Sequence, residues 1–249
     1  MHKKVKTLIF ILVASALFIL SVLHIRTWMS SARVDNFNIV VQDSLKHQFV
    51  NSTSIVKFIE VNNGKVLGKN KDSISLHEIE KKLKNSSYID NCEVYYTITY
   101  NKLYASTVLN VIVDQKDPIV RIVSKKRDFY IDANKNVIPW SPKYTEKTPI
   151  ITGNIDVNFI KNDLFDLCLF IQNDRFLKAL IDQIDINSKK ELILTPKVGD
   201  FDILFGAPKN FRRKFKYLKA FYRQVLANES WGKYKRINLK YEGQVICSY

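Results

Sequence analysis

The nineteen residues from Thr7 to Ile25 contain no aspartate, glutamate, lysine or arginine. This run, uncharged unless His24 protonates, limits what the rest of the chain can fold into. At a rise of about 1.5 Å per residue, a helix of this length is about 28 Å long, close to the hydrocarbon thickness of a bilayer. Lys3, Lys4 and Lys6 precede it, and Arg26, Trp28 and Arg33 follow. The three leading lysines predict a cytoplasmic N-terminus, with a tail at 1–6, a transmembrane helix at 7–25 and the bulk of the chain outside. Ser30-Ser31-Ala32 resembles a small-x-small signal-peptide cleavage site. The apolar core is longer than a usual signal region, and Arg26 and Trp28 suit interfacial anchors, so an uncleaved anchor is expected. A buried core helix fits poorly, because the run has no polar face.

After this segment enough chain remains for one large or two small domains with real cores. Only 7 Gly and 6 Pro occur, beside 46% hydrophobic residues, which excludes a long disordered stalk. The net charge is +15. Its basic residues are scattered, which fits a solvated surface compatible with an anionic membrane better than a nucleic-acid site. Cys92, Cys168 and Cys247 are widely spaced without a CxxC, so they form neither a disulfide framework nor a zinc site. One bridge remains possible in an oxidising periplasm.

Val34 to Asp43 reads as a strand, with Phe37, Ile39 and Val41 on one face. Ser52-Thr53-Ser54 offers caps for a short helix carrying Ile55, Phe58 and Ile59, and Asn62-Asn63-Gly64 ends it. Leu67 to Asp72 reads as loop. Ser75-x-x-Glu78 is a capping box that opens a second helix with Leu76, Ile79 and Leu83 on one face. Val94, Tyr96, Ile98 and Tyr100 then alternate with polar positions. Asn101-Lys102 supplies a turn, and Leu109, Val111 and Val113 face inward on the return strand. The order strand, helix, helix, strand, strand over 34–114, directly after an anchor, resembles a POTRA domain.

Gln115-Lys116-Asp117-Pro118 reads as a hinge, since Pro118 cannot donate to a ladder. Beyond it, over 119–249, a β-rich domain is expected. Its strands fall near Ile119–Val123, Phe129–Asp132, Val137–Pro139, Pro149–Gly153, Ile181–Ile186, Glu191–Thr195 and Asp200–Phe205. Two more are expected at Tyr234–Leu239 and Tyr241–Cys247. Two helices interrupt them. One carries Ile160, Leu164, Leu167 and Ile171, with Cys168 beside the stripe. The other holds Pro208 in its first turn, runs to about Ala227 and carries Phe211, Phe215, Leu218, Tyr222 and Val225. The fold class is therefore α+β: a transmembrane helix, a β-α-α-β-β unit and a mixed β-rich domain.

This layout resembles the FtsQ/DivIB family of bacterial division proteins, in the style of its Bacteroidota members. The segment 130–139, Tyr130 to Pro139, resembles the family's strand-turn-strand. Pro149-Ile150-Ile151-Thr152-Gly153 resembles its Pro-x-Leu-x-Gly stretch, and Lys214 to Leu218 its late helix. Ile237-Asn238-Leu239-Lys240-Tyr241 resembles its hydrophobe-Asp-Leu-Arg-Tyr strand. Asn136 stands where glycine is usual, Asn238 where aspartate is usual and Lys240 where arginine is usual. The resemblance implies a non-enzymatic divisome scaffold of the inner membrane at the septum, single-pass type II, without cofactor. It also implies FtsB-like and FtsL-like partners, with an FtsB strand added to the edge made by the last strand. Recruitment through the POTRA unit is implied without identifying its partner.

On that basis the terminal stretch from Lys240 to Ile246 is the expected docking edge. Tyr241 is its aromatic anchor, Lys240 the group that meets acids on the partner, and Gly243 the point of close backbone approach. Val245 is the remaining binding residue. No enzyme is expected. No histidine follows His77, and His77-Glu78 lacks the second histidine of HExxH. Asp200 with Asp202 reads as a solvated pair, and Asp128 and Asp132 as turn residues. An outer-membrane assembly or secretion factor would need more POTRA repeats or a β-barrel, and a cell-wall enzyme would need a nucleophile with its base.

Overall fold

The computed structural model describes residues 2–30, 32–45, 47–100, 105–226 and 233–249. The chain divides into two compact units, Met1–Gln115 and Lys116–Tyr249.

The first unit begins with helix α1 (His2–Ser30). Its described side chains run from Ile9 to Leu23, and the large apolar ones among them are exposed. Among the described residues no helix is long and apolar enough to cross a membrane. Thr7, Leu8, His24 and Ile25, the ends of the expected span, lie outside the described side chains, as do Lys3, Lys4, Lys6, Arg26 and Trp28.

Next come β1 (Val34–Val41), α2 (Ser52–Asn63), α3 (Leu76–Lys84), β2 (Ile89–Tyr100) and β3 (Ala105–Gln115). The sheet order is β1-β3-β2, with β1 parallel and β2 antiparallel to β3. A parallel neighbour requires a crossover, and α2 and α3 followed by β2 provide it. Ile55 and Ile59 of α2 and Ile79 and Leu83 of α3 pack on Leu109, Val111 and Val113 of β3, all essentially buried. Gln115 ties down the β1–α2 connection: its Nε2 donates to the His47 carbonyl at 2.7 Å and its Oε1 accepts from Val50 N at 3.1 Å.

The cap of α2 differs from the sequence expectation. Asn51, not the serine-threonine run, is the N-cap. Its Oδ1 accepts from Ser54 N at 2.9 Å while Ser54 Oγ accepts from Asn51 N at 2.9 Å. An asparagine can take this extended, half-in position, and the serine three residues later completes the reciprocal box. Gly64, at φ 73°, ends the helix. Ser75 caps α3 as expected, its Oγ accepting from Glu78 N. The Asn101-Lys102 turn lies outside the described residues.

The second unit holds β4 (Pro118–Ile122), β5 (Phe129–Asp132), β6 (Val137–Pro139) and β7 (Ile150–Gly153). A helical stretch follows, made of α4 (Val157–Phe159), a π-helical turn (Ile160–Leu164), α5 (Phe165–Asn173) and α6 (Arg175–Leu180). Then come β8 (Ile181–Ile186), β9 (Leu192–Pro196), β10 (Asp202–Gly206), α7 (Phe211–Phe221) with a π-helical turn (Tyr222–Leu226), β11 (Arg236–Asn238) and β12 (Ile246–Ser248). Nine strands form one mixed sheet in the order β12-β11-β10-β9-β8-β7-β4-β5-β6. Of the parallel neighbours β4–β7, β7–β8 and β10–β11, the last two are joined through helices, and β4–β7 through β5 and β6.

Ile151, Ile184, Leu194, Ile203 and Ile237 from the sheet share one core with Leu164, Leu167, Ile171, Phe215 and Leu218 from the helices. Cys168 is fully buried in that core, and desolvation pushes its thiol up to about 12. Cys92, likewise a buried thiol, belongs to the other unit.

Three expectations are corrected here. A further helix joins the two expected ones: Asp174 ends α5 in an extended conformation and caps α6, accepting from Phe176 N and Leu177 N. Pro208 lies before α7 rather than in its first turn. The helix starts after Asn210, which takes a left-handed φ of 55° that asparagine tolerates. The last two strands are short, and the reason lies in the residues between them. Ala227 and the side chain of Val225 lie outside the described set.

Candidate functional site

The last strand, β12, forms one end of the nine-stranded order, with β11 as its neighbour and β6 at the far end. The ladder holds Asn238 against Ile246, Ile237 against Cys247 and Arg236 against Ser248. An edge strand offers backbone N–H and C=O groups along its outer side, which makes it a template for an added strand.

Lys240, Tyr241, Gly243 and Val245, the residues named to dock a partner, are not on that strand; of the expected stretch, only Ile246 is. Leu239 N donates to Leu204 O at 2.9 Å, and Lys240 N is then taken by Asn238 Oδ1 at 2.9 Å. That local bond replaces a ladder bond, as asparagine favours. Lys240 to Val245 therefore form a turn between β11 and β12, not the strand expected there.

Each named residue has its own environment. Tyr241 is about half exposed (54%). Lys240 is already engaged, its Nζ 2.7 Å from Glu191 Oε2, and this contact first and Asn187 second hold the Glu191 carboxyl below its usual range. Gly243 has φ 78° with no atom within 4 Å of a built Cβ. Its positive φ is a turn conformation that glycine adopts freely and proline could not. Val245 is half-buried against the core.

Beside Tyr241 lies a small cleft of about 140 Å³ lined by Lys209, Arg213, Lys214, Tyr217 and Glu242. Arg213 Nε donates to Tyr217 Oη at 2.9 Å. Lys214 Nζ is spent on the carbonyls of Phe205 and Ala207, both at 2.8 Å, and desolvation lowers its pKa.

Two residues of this edge had no individual role in the sequence expectation: Ile246 ended the expected docking stretch, and Tyr249 lay beyond it. Ile246 is 44% exposed and Tyr249 76%, the latter stacked on Tyr234 at 5.4 Å between ring centroids. Correct placement of the turn would have signalled Ile246, because Cys247 then faces the core and Ile246 the opposite side.

Three of the acidic residues singled out from the sequence have defined partners. Asp132 is buried, its Oδ1 accepting from Asn134 N and Asn136 N and its Oδ2 from Asn136 Nδ2. Asp128 pairs with Arg121 at 2.6 Å, and the exposed Asp200 with Lys235 at 3.0 Å. Among the described residues no group of three or more His, Cys, Asp or Glu is placed to hold a metal ion.

The family model described as FtsQ/DivIB, C-terminal related, matches residues 117–248, and a POTRA-like domain model matches residues 33–101. The chain belongs to the FtsQ/DivIB family. FtsQ/DivIB proteins are membrane-associated division proteins that work through protein–protein interactions in the divisome, and their domains are typically non-catalytic. No curated protein matches the chain.

Proposed function

We propose that this FtsQ/DivIB protein is a single-pass scaffold of the septal inner membrane that binds an FtsB–FtsL-like pair at the β12 edge. The observation that carries the reading is an outermost strand with three exposed large side chains, Ile246 on the strand and Tyr241 and Tyr249 beside it. A partner strand laid on β12 would gain main-chain hydrogen bonds, and the three side chains would supply anchors on either side. In this reading Thr7–Ile25 spans the bilayer with 1–6 inside, 34–114 is the POTRA domain and 119–249 is the partner-binding domain. The scaffold acts by position and needs no cofactor. Lys240 would meet a partner's carboxylate only by sharing or leaving Glu191. Gly243 and Val245 would shape the turn that presents Tyr241.

The test is capture of the periplasmic FtsB–FtsL segments by the full chain carrying Tyr241→Ala or Ile246→Lys, with circular dichroism confirming the fold. Loss of Tyr241 should cost about 2 kcal/mol, roughly thirtyfold in Kd. Undiminished capture by both folded variants would place the interface elsewhere.

A further inference from the structure

A second surface lies on the other side of α7. Residues Arg212, Lys216, Lys219 and Arg223 recur at helical spacing along one stripe, and the sequence from Phe211 to Leu226 contains no aspartate or glutamate. Arg212, Lys216 and Arg223 are exposed. The stripe borders a groove of about 400 Å³ floored by Phe170 and Phe215. Phe170 comes from α5, so the groove runs between two helices. Its aromatic floor is continuous: Phe170 lies 5.9 Å from Phe215 and 5.5 Å from Phe211 between ring centroids. The Arg212 guanidinium lies over Phe170 at 4.9 Å and over Phe211 at 5.5 Å.

Two acids, Asp174 and Asp166, lie by this rim against its four cations. Asp174 is paired with Lys219, and these contacts hold its carboxyl low despite the opposing effect of burial. Asp166 lines the adjoining end of the groove, near Phe211 and Arg212. Arg212, Lys216 and Arg223 remain as exposed cations beside an apolar floor. Arg213, Tyr217 and Tyr241, by contrast, line the separate cleft.

We infer that this groove docks an acidic amphipathic helix of a partner protein, apolar side down on Phe170 and Phe215 with carboxylates against Arg212, Lys216 and Arg223. A groove between two helices matches the shape of a third, and the one-signed rim selects its charge. Guanidinium groups stacked on aromatic faces are already oriented to form paired hydrogen bonds with carboxylates. This surface adds to the strand-edge reading and does not depend on it.

The probe is a fluorescent designed peptide with leucines at i, i+3, i+4 and i+7 and glutamates on its flanks, titrated into the full chain in a zwitterionic nanodisc. Binding that weakens with salt is expected, with at least a tenfold loss in the Arg212→Glu, Lys216→Glu, Arg223→Glu variant. A control variant, Lys125→Glu, Lys126→Glu, Lys189→Glu, makes the same charge change at exposed positions away from the groove and should bind normally. Equal loss in both variants would mean diffuse attraction and would overturn the proposal. So would equal binding of a peptide with lysine in place of glutamate. Phe170→Ser, which keeps every charge, should also weaken binding, and no change there would remove the helix-in-groove geometry. A final arm repeats the titration in nanodiscs rich in phosphatidylglycerol. Groove-variant-dependent suppression of peptide binding by that lipid, with no measurable peptide binding in the zwitterionic disc, would assign the surface to the membrane instead.

Discussion

Two glycines show how differently the same residue type can be constrained. Gly153 ends β7 at φ 89°, and a Cβ there would lie 2.3 Å from the Ile186 carbonyl oxygen of the neighbouring strand. Neither a change of rotamer nor a side-chain shift relieves a clash with a paired backbone. Gly153→Ala should cost at least about 2 kcal/mol, read as a lowered urea midpoint with an unchanged slope. Gly243 has a similar φ of 78° but open space around it, so Gly243→Ala carries only the conformational penalty, about 1 kcal/mol. If the two substitutions cost the same, contact with Ile186 is not what constrains Gly153. Sequence reading placed Gly153 at a strand stop and Gly243 inside a strand. A sequence does not display φ, so it could not separate the two cases.

At the scale of elements, caps rather than hydrophobic stripes decide the boundaries. α2 starts at Asn51 because Asn51 and Ser54 satisfy each other's backbone donors, leaving fewer N–H groups orphaned in the first turn. Asn51→Ala should destabilise the first unit by about 1 kcal/mol, and Asn51→Asp should restore most of it. The check is thermal unfolding followed by far-ultraviolet circular dichroism, and an unshifted transition in Asn51→Ala would show that the box contributes little. The same logic limits β11. Asn238 at its end hands its side-chain oxygen to Lys240 N, and the chain turns away from the sheet. The alternating pattern of Tyr241 to Cys247 is compatible with a strand, but a local side-chain bond won over the ladder.

At the scale of the whole molecule, each unit has its own sheet and its own buried cluster, and the division falls between Gln115 and Lys116. A unit with a complete core and satisfied helix caps should fold alone. Residues 33–115, expressed separately, are expected to unfold in a single cooperative urea transition. A disordered fragment, alongside a folded chain of 33–249, would show that the first unit needs the second.

The order of elements in the first unit was legible in the sequence, because period-2 and period-3.6 patterns report which side of each element meets a core. So were the inward residues Ile79, Leu83, Leu109, Val111 and Leu218, since burying apolar area is the dominant favourable contribution whatever the neighbours are. The sequence also pointed to the family and to a tyrosine near the C-terminus as a candidate contact.

Only the tertiary structure decided which strands are neighbours across helical connections. The pairing of β10 with β11 and of β7 with β8 joins residues far apart in the chain, and no local pattern encodes it. Tertiary structure also determined that Lys240 meets Glu191, forty-nine positions away, and that Ile246 rather than Val245 is presented outward. Those outcomes depend on long-range register, in which a shift of one residue exchanges the two faces of a strand. A single sequence states its alternation but not its register.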